Sequence, residues 1–168
     1  MKIEDLPREA LLELLSDFAK NWLAHDGLWF QAVERHHGLE HAMQLDAEAW
    51  ARFSPIEARR IRALLQLSAA PGLEGLEEAM NFRLYARLNE QSAVRDGDRL
   101  VFTMHRCRVQ EARRRRGLPP FPCKEVGVVE YTEFAKAIDP RIQAAPLHCP
   151  PDDPVEGVAC QWAFTLAE

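Results

Sequence analysis

The sequence lacks the segments and motifs that mark several large classes of protein. No stretch approaches the ~20 consecutive apolar residues that a transmembrane helix needs. The opening segment, MKIEDLPREALL, carries acidic residues where a secretory signal peptide has a basic start and an apolar run. The chain contains no GxGxxG, GxxxxGKS/T, GxSxG or HExxH motif. These absences disfavour membrane, secreted, common nucleotide-binding and common hydrolase proteins, and they predict a cytoplasmic protein.

Positive charge is scarce relative to negative charge. The chain has 21 Lys and Arg against 26 Asp and Glu, so its net charge is −5. General nucleic-acid binding requires a clustered positive field. The sharpest basic run, residues 113–116, is interpreted mainly as a solvated connection between elements, with a phosphate or acidic-partner contact as the alternative. The balance of charge therefore predicts no nucleic-acid partner.

The remaining composition is that of an ordinary globular chain. Of the 168 residues, 47% are hydrophobic and 28% are charged, and the length fits about one domain. Apolar residues recur at helical spacing in the first half and alternate as in strands in the second. We predict one α+β domain over residues 1–168, in which an N-terminal helical layer packs on a C-terminal antiparallel sheet. The helical part covers about residues 5–91, and the sheet-containing part covers about residues 92–168.

The boundaries of the helices are predicted from glycine, proline and capping residues. The first helix should end near Gly38, and a second should cover residues 39–52. Ser54 and Pro55 read as the start of a third helix, with Glu57 completing a capping box. A fourth helix is predicted over residues 73–90.

Four cysteines lie in the second half, and none of them forms a CxxC pair. If the last two strands pair antiparallel, Cys149 and Cys160 lie at the same end of the sheet, while Cys107 ends an earlier strand. Cys123 precedes a predicted helix, whose N-terminus would favour a thiolate. Three interpretations stay open: small buried hydrophobes, a zinc or iron site formed by all four cysteines, or a redox or nucleophilic thiol, for which Cys123 is the best candidate.

Two sets of side chains spaced four residues apart are predicted to line a ligand cavity between the helices and the sheet. They are Asn21, His25 and Trp29 on the first helix, and Asn81, Tyr85 and Asn89 on the fourth. His25 with Asp26 or Glu34 is a candidate base, or a metal ligand with an orienting carboxylate. The alternative is that these residues make structural hydrogen bonds or face solvent.

Four long segments of the sequence are similar to an uncharacterised bacterial family of cytosolic proteins. They are AKNWLAHDGLWFQAVE, QLDAEAWARF, FRLYARLNEQ and CRVQEARRRRGLPPFPCKEVGVVEYTEFAKAIDPRI. The resemblance extends from about Leu6 to Leu166 and implies no established chemistry.

The C-terminal half also resembles two better-known groups. The four spaced cysteines and the final CQWAF segment are similar to the L-2-amino-thiazoline-4-carboxylic acid hydrolase family. Cys149, Gly157, Cys160, Trp162 and Phe164 also resemble the closing pattern of the 4-vinyl reductase domain, a small-ligand-binding module. That resemblance implies helices layered on a twisted antiparallel sheet.

Two functions from different classes are therefore predicted. The first is a small-ligand- or metal-binding module with a cysteine-rich pole, in which zinc or iron is the candidate metal. The alternative is a hydrolase of a small cyclic amide or thiazoline carboxylate, with His25, Asp26 or Cys123 as weak catalytic candidates. The residues leave open whether the chain is an enzyme and whether it forms a homodimer.

Overall fold

The computed structural model describes residues 2–167 and has an α+β architecture. The α-helices of this part of the chain are α1 (Arg8–His37), α2 (Leu39–Leu65), α3 (Gly72–Met80), α4 (Arg108–Arg115) and α5 (Lys124–Ile138). The strands are β1 (Glu90–Asp96), β2 (Arg99–Arg106), β3 (Ile142–His148) and β4 (Cys160–Leu166). Among residues 2–167, no helix combines the length and the apolar character needed to cross a membrane.

The four strands described form one antiparallel sheet in the order β1-β2-β4-β3. Gly97 adopts a positive φ of 64° in the tight turn between β1 and β2, which only glycine, asparagine or aspartate adopts at low cost. β3 is an edge strand, a position that suits its Pro146 because proline cannot donate to a neighbouring strand. Strands β2 and β4 are central and carry the large buried side chains.

The predicted break at Ser54 and Pro55 is wrong, because α2 passes through both residues without interruption. Ser54 is fully buried rather than capping a helix, and its hydroxyl has no hydrogen-bond partner among residues 2–167. Proline removes one backbone hydrogen bond, but the burial of Trp50, Ala58 and Ile61 on either side stabilises the continuous helix. Glu57 therefore does not cap a helix, and its buried carboxylate accepts a hydrogen bond from Arg83.

The predicted helix over residues 73–90 is also too long, because α3 ends at Met80. The side-chain amide of Gln91 donates to the Met80 carbonyl and so satisfies one of the final carbonyl groups. Because the chain leaves the helix after Met80, the backbone N–H of Leu84 and the side chain of Arg83 can both donate to Glu57. Tertiary ion pairing therefore overrides helical propensity in this segment.

The core lies between the sheet and α5, a helix that comes from the C-terminal half of the chain. Phe102, Trp162 and Phe164 of the two central strands are at most 2% exposed and pack on Tyr131 and Phe134 of α5. α5 also contacts α2, which in turn contacts α1. The helices α5, α2 and α1 therefore pack in series, and α5 covers the two central strands.

Candidate functional site

A cavity of about 160 Å³ lies where α1, α2 and α5 meet one end of the sheet. Most of its lining is apolar. The aromatic residues that line it are Phe30, Trp50, Tyr85, Phe121, Tyr131 and Trp162. Its carboxylates are Asp26, Asp46 and Glu130, and its thiols are Cys107, Cys123, Cys149 and Cys160. An apolar cleft with a few convergent polar groups is the usual form of a small-molecule site.

The strand register explains why distant cysteines line the same cavity. Cys160 begins β4 and pairs with Met104 near the end of β2, just before Cys107. β3 runs antiparallel to β4 and ends at His148, immediately before Cys149. The antiparallel pairing of the last two strands, which the sequence predicted, thus brings three cysteines to one end of the sheet.

The sulfur atoms of Cys123 and Cys149 lie 3.6 Å apart. Cys123 occupies the N-cap position of α5, where its side chain makes no capping hydrogen bond, and the side-chain amide of Gln110 lies 3.7 Å from its sulfur. A hydrogen bond from the Cys149 thiol lowers the pKa of Cys123. The same contact, together with one to Cys160, raises the pKa of Cys149. The two neighbouring thiols are therefore unlike, since Cys123 favours the thiolate and Cys149 stays protonated.

Cys107 is held as a neutral thiol. Burial is the main reason that its pKa rises to about 12, and the neighbouring cysteines add to the effect. The sequence singled out Cys123 as the thiolate candidate, and the lowered pKa of that residue agrees with this interpretation.

Three carboxylates from three different helices converge on the cavity. Burial raises the pKa of Asp26 and, more strongly, that of Asp46, which reaches about 7. The negative charges of Asp26 and Glu130 raise the pKa of Asp46 further. Neither Asp26 nor Asp46 has an ion-pair partner among the described residues. Asp26 and Asp46 therefore place carboxyl groups without an ion-pair partner in a largely apolar lining, which also includes Arg108 and the Glu34-paired Arg113.

Glu130 connects the cavity to a buried cation. Arg83, only 3% exposed, lies between two carboxylates: its Nε donates to Glu57 at 2.9 Å, and its Nη2 lies 2.8 Å from Glu130. The Nη2–Oε1 contact is short, but its angles are poor for a hydrogen bond. Desolvation raises the pKa of Glu130 although Arg83 opposes the rise. Trp162, which lines the cavity, also has an Nε1 donor with no hydrogen-bond partner within residues 2–167.

The first predicted polar set does not line the cavity. Asn21, His25 and Trp29 lie on the exposed side of α1, and Trp29 is 68% exposed. The inward face is displaced by one residue and presents Asp26 and Phe30 to the cavity. A weak apolar contrast between the two faces of α1, where Leu15 and Phe18 are also exposed, made this displacement hard to read from the sequence.

The second predicted polar set is divided by the early end of α3. Asn81 is exposed and its side chain donates to the Glu77 carbonyl. Tyr85 and Asn89 do line the cavity, although a short 3₁₀ turn at Leu84–Arg87 and the loop after it carry them there. Asn89 also accepts a hydrogen bond from the backbone N–H of Arg108, at the start of α4.

Arg113 makes a structural contact that the sequence did not indicate. This residue of the basic run is 4% exposed and forms a bidentate pair with Glu34, at 2.8 and 2.9 Å. Its Nε donates to the Pro119 carbonyl. Glu34 is thus occupied by a guanidinium and does not contact His25. The Arg113–Glu34 pair joins α4 and the loop at residues 118–122 to α1, beside the cavity.

The described residues contain no group of three or more His, Cys, Asp and Glu side chains arranged to hold a metal ion. The four cysteines line one cavity but do not form such a group. Binding of zinc or iron by Cys107, Cys123, Cys149 and Cys160 therefore stays a prediction that the geometry does not favour.

The raised pKa of Asp46 leads to a pH-dependent prediction for Asp46→Asn. Its pKa is about 7 in the folded chain against an ordinary 3.8, so the folded state binds more protons between these values. The stability contributed by Asp46 is present at acidic pH and is lost as the pH rises through 7. The variant's stability relative to the wild type should therefore be about 3–4 kcal/mol more favourable at pH 8 than at pH 4.

Urea unfolding at both pH values measures this difference. Glu48→Gln, at an exposed position on the same helix, serves as the matched control and should show little pH-dependent change. An equal difference between Asp46→Asn and the wild type at the two pH values would contradict the buried position of this carboxylate.

Comparison with known proteins identifies a family but no characterised relative. Neither the curated proteins nor the solved structures include a significant match to the chain. The comparisons therefore do not show the resemblance to the thiazoline carboxylate hydrolases or to the 4-vinyl reductase domain. Residues 4–166 match the family of unknown function DUF6125. That match covers nearly the whole chain, and this protein therefore belongs to the DUF6125 family.

Proposed function

We propose that this protein binds a small organic molecule of about one ring that carries a cationic or hydrogen-bond-donating group. The observation that carries the proposal is the cavity of about 160 Å³, which combines aromatic walls with unpaired carboxylates. An engineered apolar cavity of roughly 150 Å³ is known to hold benzene, so the volume suits one ring. A larger ligand would have to extend through the mouth of the cavity.

The charges around the cavity favour a cation over an anion. Asp26 and Asp46 form no ion pair among residues 2–167, and burial is the largest cause of their raised pKa values, although His25 opposes the rise at Asp26 and a hydrogen bond with Trp50 opposes it at Asp46. A bound ammonium group would restore their charged forms and would gain from the faces of Trp50 and Tyr85. The unpaired Nε1 of Trp162 offers a donor for an acceptor atom elsewhere in the ligand.

The same field argues against the alternative hydrolase. A thiazoline carboxylate would bring a further negative charge to a cavity that already holds Asp26, Asp46 and Glu130. His25 is exposed on the other side of α1, which separates it from Cys123 at the cavity wall. Ligand binding is therefore the preferred proposal, and hydrolysis of such a substrate by the same preparation would reverse this preference.

Three probes of one shape test the proposed preference. Benzylamine, benzyl alcohol and benzoate share a ring but differ in charge, and their affinities are measured by calorimetry at pH 7. We expect benzylammonium to bind at least tenfold more tightly than the alcohol, and benzoate to bind most weakly. The double variant Asp26→Asn, Asp46→Asn should abolish the advantage of the amine. Equal affinity for all three probes would refute the electrostatic part of the proposal.

A substitution that fills the cavity tests its location. Gly27 lines the cavity and has nothing within 4 Å of the position that a Cβ would take, so Gly27→Leu should block the ligand without unfolding the chain. Ala24→Leu, on the exposed side of the same helix, is the control and should leave binding unchanged. Metal analysis of the same preparation tests the zinc or iron prediction. Unaltered binding by a folded Gly27→Leu variant would place the ligand elsewhere.

A further inference from the structure

We propose that Cys123 and Cys149 are a redox pair, in which Cys123 is oxidised by a hydroperoxide and Cys149 then closes an intramolecular disulfide. This reaction is separate from ligand binding and does not depend on the identity of the ligand. It rests on the arrangement of the two side chains and of the backbone that carries them.

The two sulfur atoms lie 3.6 Å apart, although 26 residues separate them in the chain. A disulfide bond is about 2.05 Å long, so side-chain rotation has to close a gap of roughly 1.5 Å. The backbones already meet, because the N–H of Lys124 donates to the carbonyl of Pro150 at 2.9 Å. The side chains of Lys124 and Asp152 form an ion pair across the same junction. Cys123 and Cys149 are therefore held close together by contacts that do not involve their sulfur atoms.

The surroundings give the two thiols different roles. Cys123 stands at the N-terminus of the 15-residue helix α5, where backbone N–H groups favour an anion. The Gln110 side chain makes two hydrogen bonds with the backbone of Phe121. These bonds position the side-chain amide of Gln110 near the Cys123 sulfur. Cys123 is partly exposed and lines the cavity, whereas Cys149 is 1% exposed. Of the two sulfur atoms, that of Cys123 is thus the more accessible to a small solute.

The first step transfers two electrons from sulfur to the peroxide. The Cys123 thiolate attacks the terminal oxygen of ROOH, an S–O bond forms, and the O–O bond breaks. The electron pair leaves on RO⁻, which takes a proton and departs as ROH, while Cys123 becomes a sulfenic acid. A neutral hydroperoxide suits this cavity because its carboxylates do not repel it.

The second step forms the disulfide. Cys149 loses its proton and attacks the Cys123 sulfur, the S–O bond breaks, and the oxygen leaves as water with that proton and the one it already carries. In total, two thiols and ROOH give one disulfide, ROH and water. A dithiol reductant restores the two thiols by exchange.

Cys160 is the competing partner, because its thiol is also near enough to Cys149 to raise the pKa of that residue. A disulfide between Cys149 and Cys160 would place the oxidised sulfur at the strand rather than at the helix. Cys107 is a poorer nucleophile, since burial keeps it protonated. Peptide mapping can therefore distinguish a Cys123–Cys149 disulfide, a Cys149–Cys160 disulfide and oxidation at Cys107.

The test treats the full-length protein with stoichiometric hydrogen peroxide and maps peptides by mass spectrometry without reduction. We expect a disulfide between Cys123 and Cys149, which disappears after dithiothreitol. In Cys149→Ser, dimedone should trap a sulfenic acid on Cys123. In Cys123→Ser, thiol consumption should be at least tenfold slower. Cys107→Ser is the matched control and should oxidise like the wild type.

Three results would overturn the proposal. They are free thiols at both positions after peroxide treatment, a disulfide between Cys149 and Cys160, and dimedone on Cys107 in place of Cys123. The mapping of wild-type protein decides the first two without any variant, so a misfolded serine variant cannot obscure the answer. Circular dichroism of each variant establishes that a slower reaction reflects the missing thiol.

Discussion

Arg83→Met should lower the free energy of unfolding by about 3–5 kcal/mol, because removing one partner of a buried ion pair leaves the other charge uncompensated. Arg83 lies between Glu57 and Glu130, and its guanidinium is 4.4 Å from the centre of the Phe134 ring. Methionine retains much of the volume but neither the charge nor the donors. Urea unfolding at pH 8, where carboxylates favour their charged forms, measures the loss.

The matched control is Arg106→Met. Arg106 also contacts two carboxylates, Glu90 and Glu111, but its side chain is 61% exposed. Exposed ion pairs contribute little, so this variant should lose less than about 1 kcal/mol. Adding Glu57→Gln and Glu130→Gln to Arg83→Met should recover part of the lost stability, because the isolated charges are then removed. Equal losses for Arg83→Met and Arg106→Met would show that burial is not the source of the effect.

Gly127→Ala should destabilise the protein by about 1–3 kcal/mol through overpacking. A Cβ at this position of α5 would stand 2.7 Å from Cζ2 and 3.0 Å from Cη2 of Trp162. The indole is 1% exposed and packs on Tyr131, with ring centres 4.6 Å apart, so it has little room to move. The helix and the central strand β4 must separate, or the Trp162 ring must change its rotamer.

Gly27→Ala is the control for the Gly127 substitution, because both glycines lie inside helices and line the cavity. Nothing lies within 4 Å of a Cβ at Gly27, so alanine should stabilise the chain by roughly 0.5–1 kcal/mol through helix propensity alone. Melting temperatures of the two variants should therefore move in opposite directions. Stabilisation by both substitutions would show that α5 does not approach Trp162 closely.

The elements that the sequence predicted best are those with a strong local signal. Gly38 separated α1 from α2, and the change from helical to strand spacing placed the sheet in the second half of the chain. The two errors, at Ser54–Pro55 and after Met80, both reflect tertiary packing. Burial of apolar side chains on either side of Pro55 keeps α2 continuous, whereas the contacts of Arg83 and Leu84 with Glu57 replace a continued helix after Met80.

For the candidate site, residue type indicated several of the side chains that line the cavity, but the sequence did not show which face of each helix points inward. The sequence singled out all four cysteines, Tyr85 and Asn89, which line the cavity, and also His25 and Trp29, which face solvent. Asp26 was predicted as a partner of His25 and as a catalytic candidate but not as a cavity-lining residue, and no local pattern singled out Asp46 or Glu130. A carboxylate on a helix is ordinarily a surface residue. Only packing reveals when three of them face one cavity.

The sequence by itself determined the α+β architecture of this protein, because the change from helical to strand periodicity depends on residues a few positions apart. Tertiary structure alone decided the cavity, the buried Arg83 and the contact between Cys123 and Cys149. Each of these depends on side chains brought together from several elements. The charge states of these side chains depend on their burial, which cannot be read from the local sequence. The physical reason is that secondary structure reflects short-range backbone preferences, whereas desolvation and ion pairing arise only when distant segments pack together.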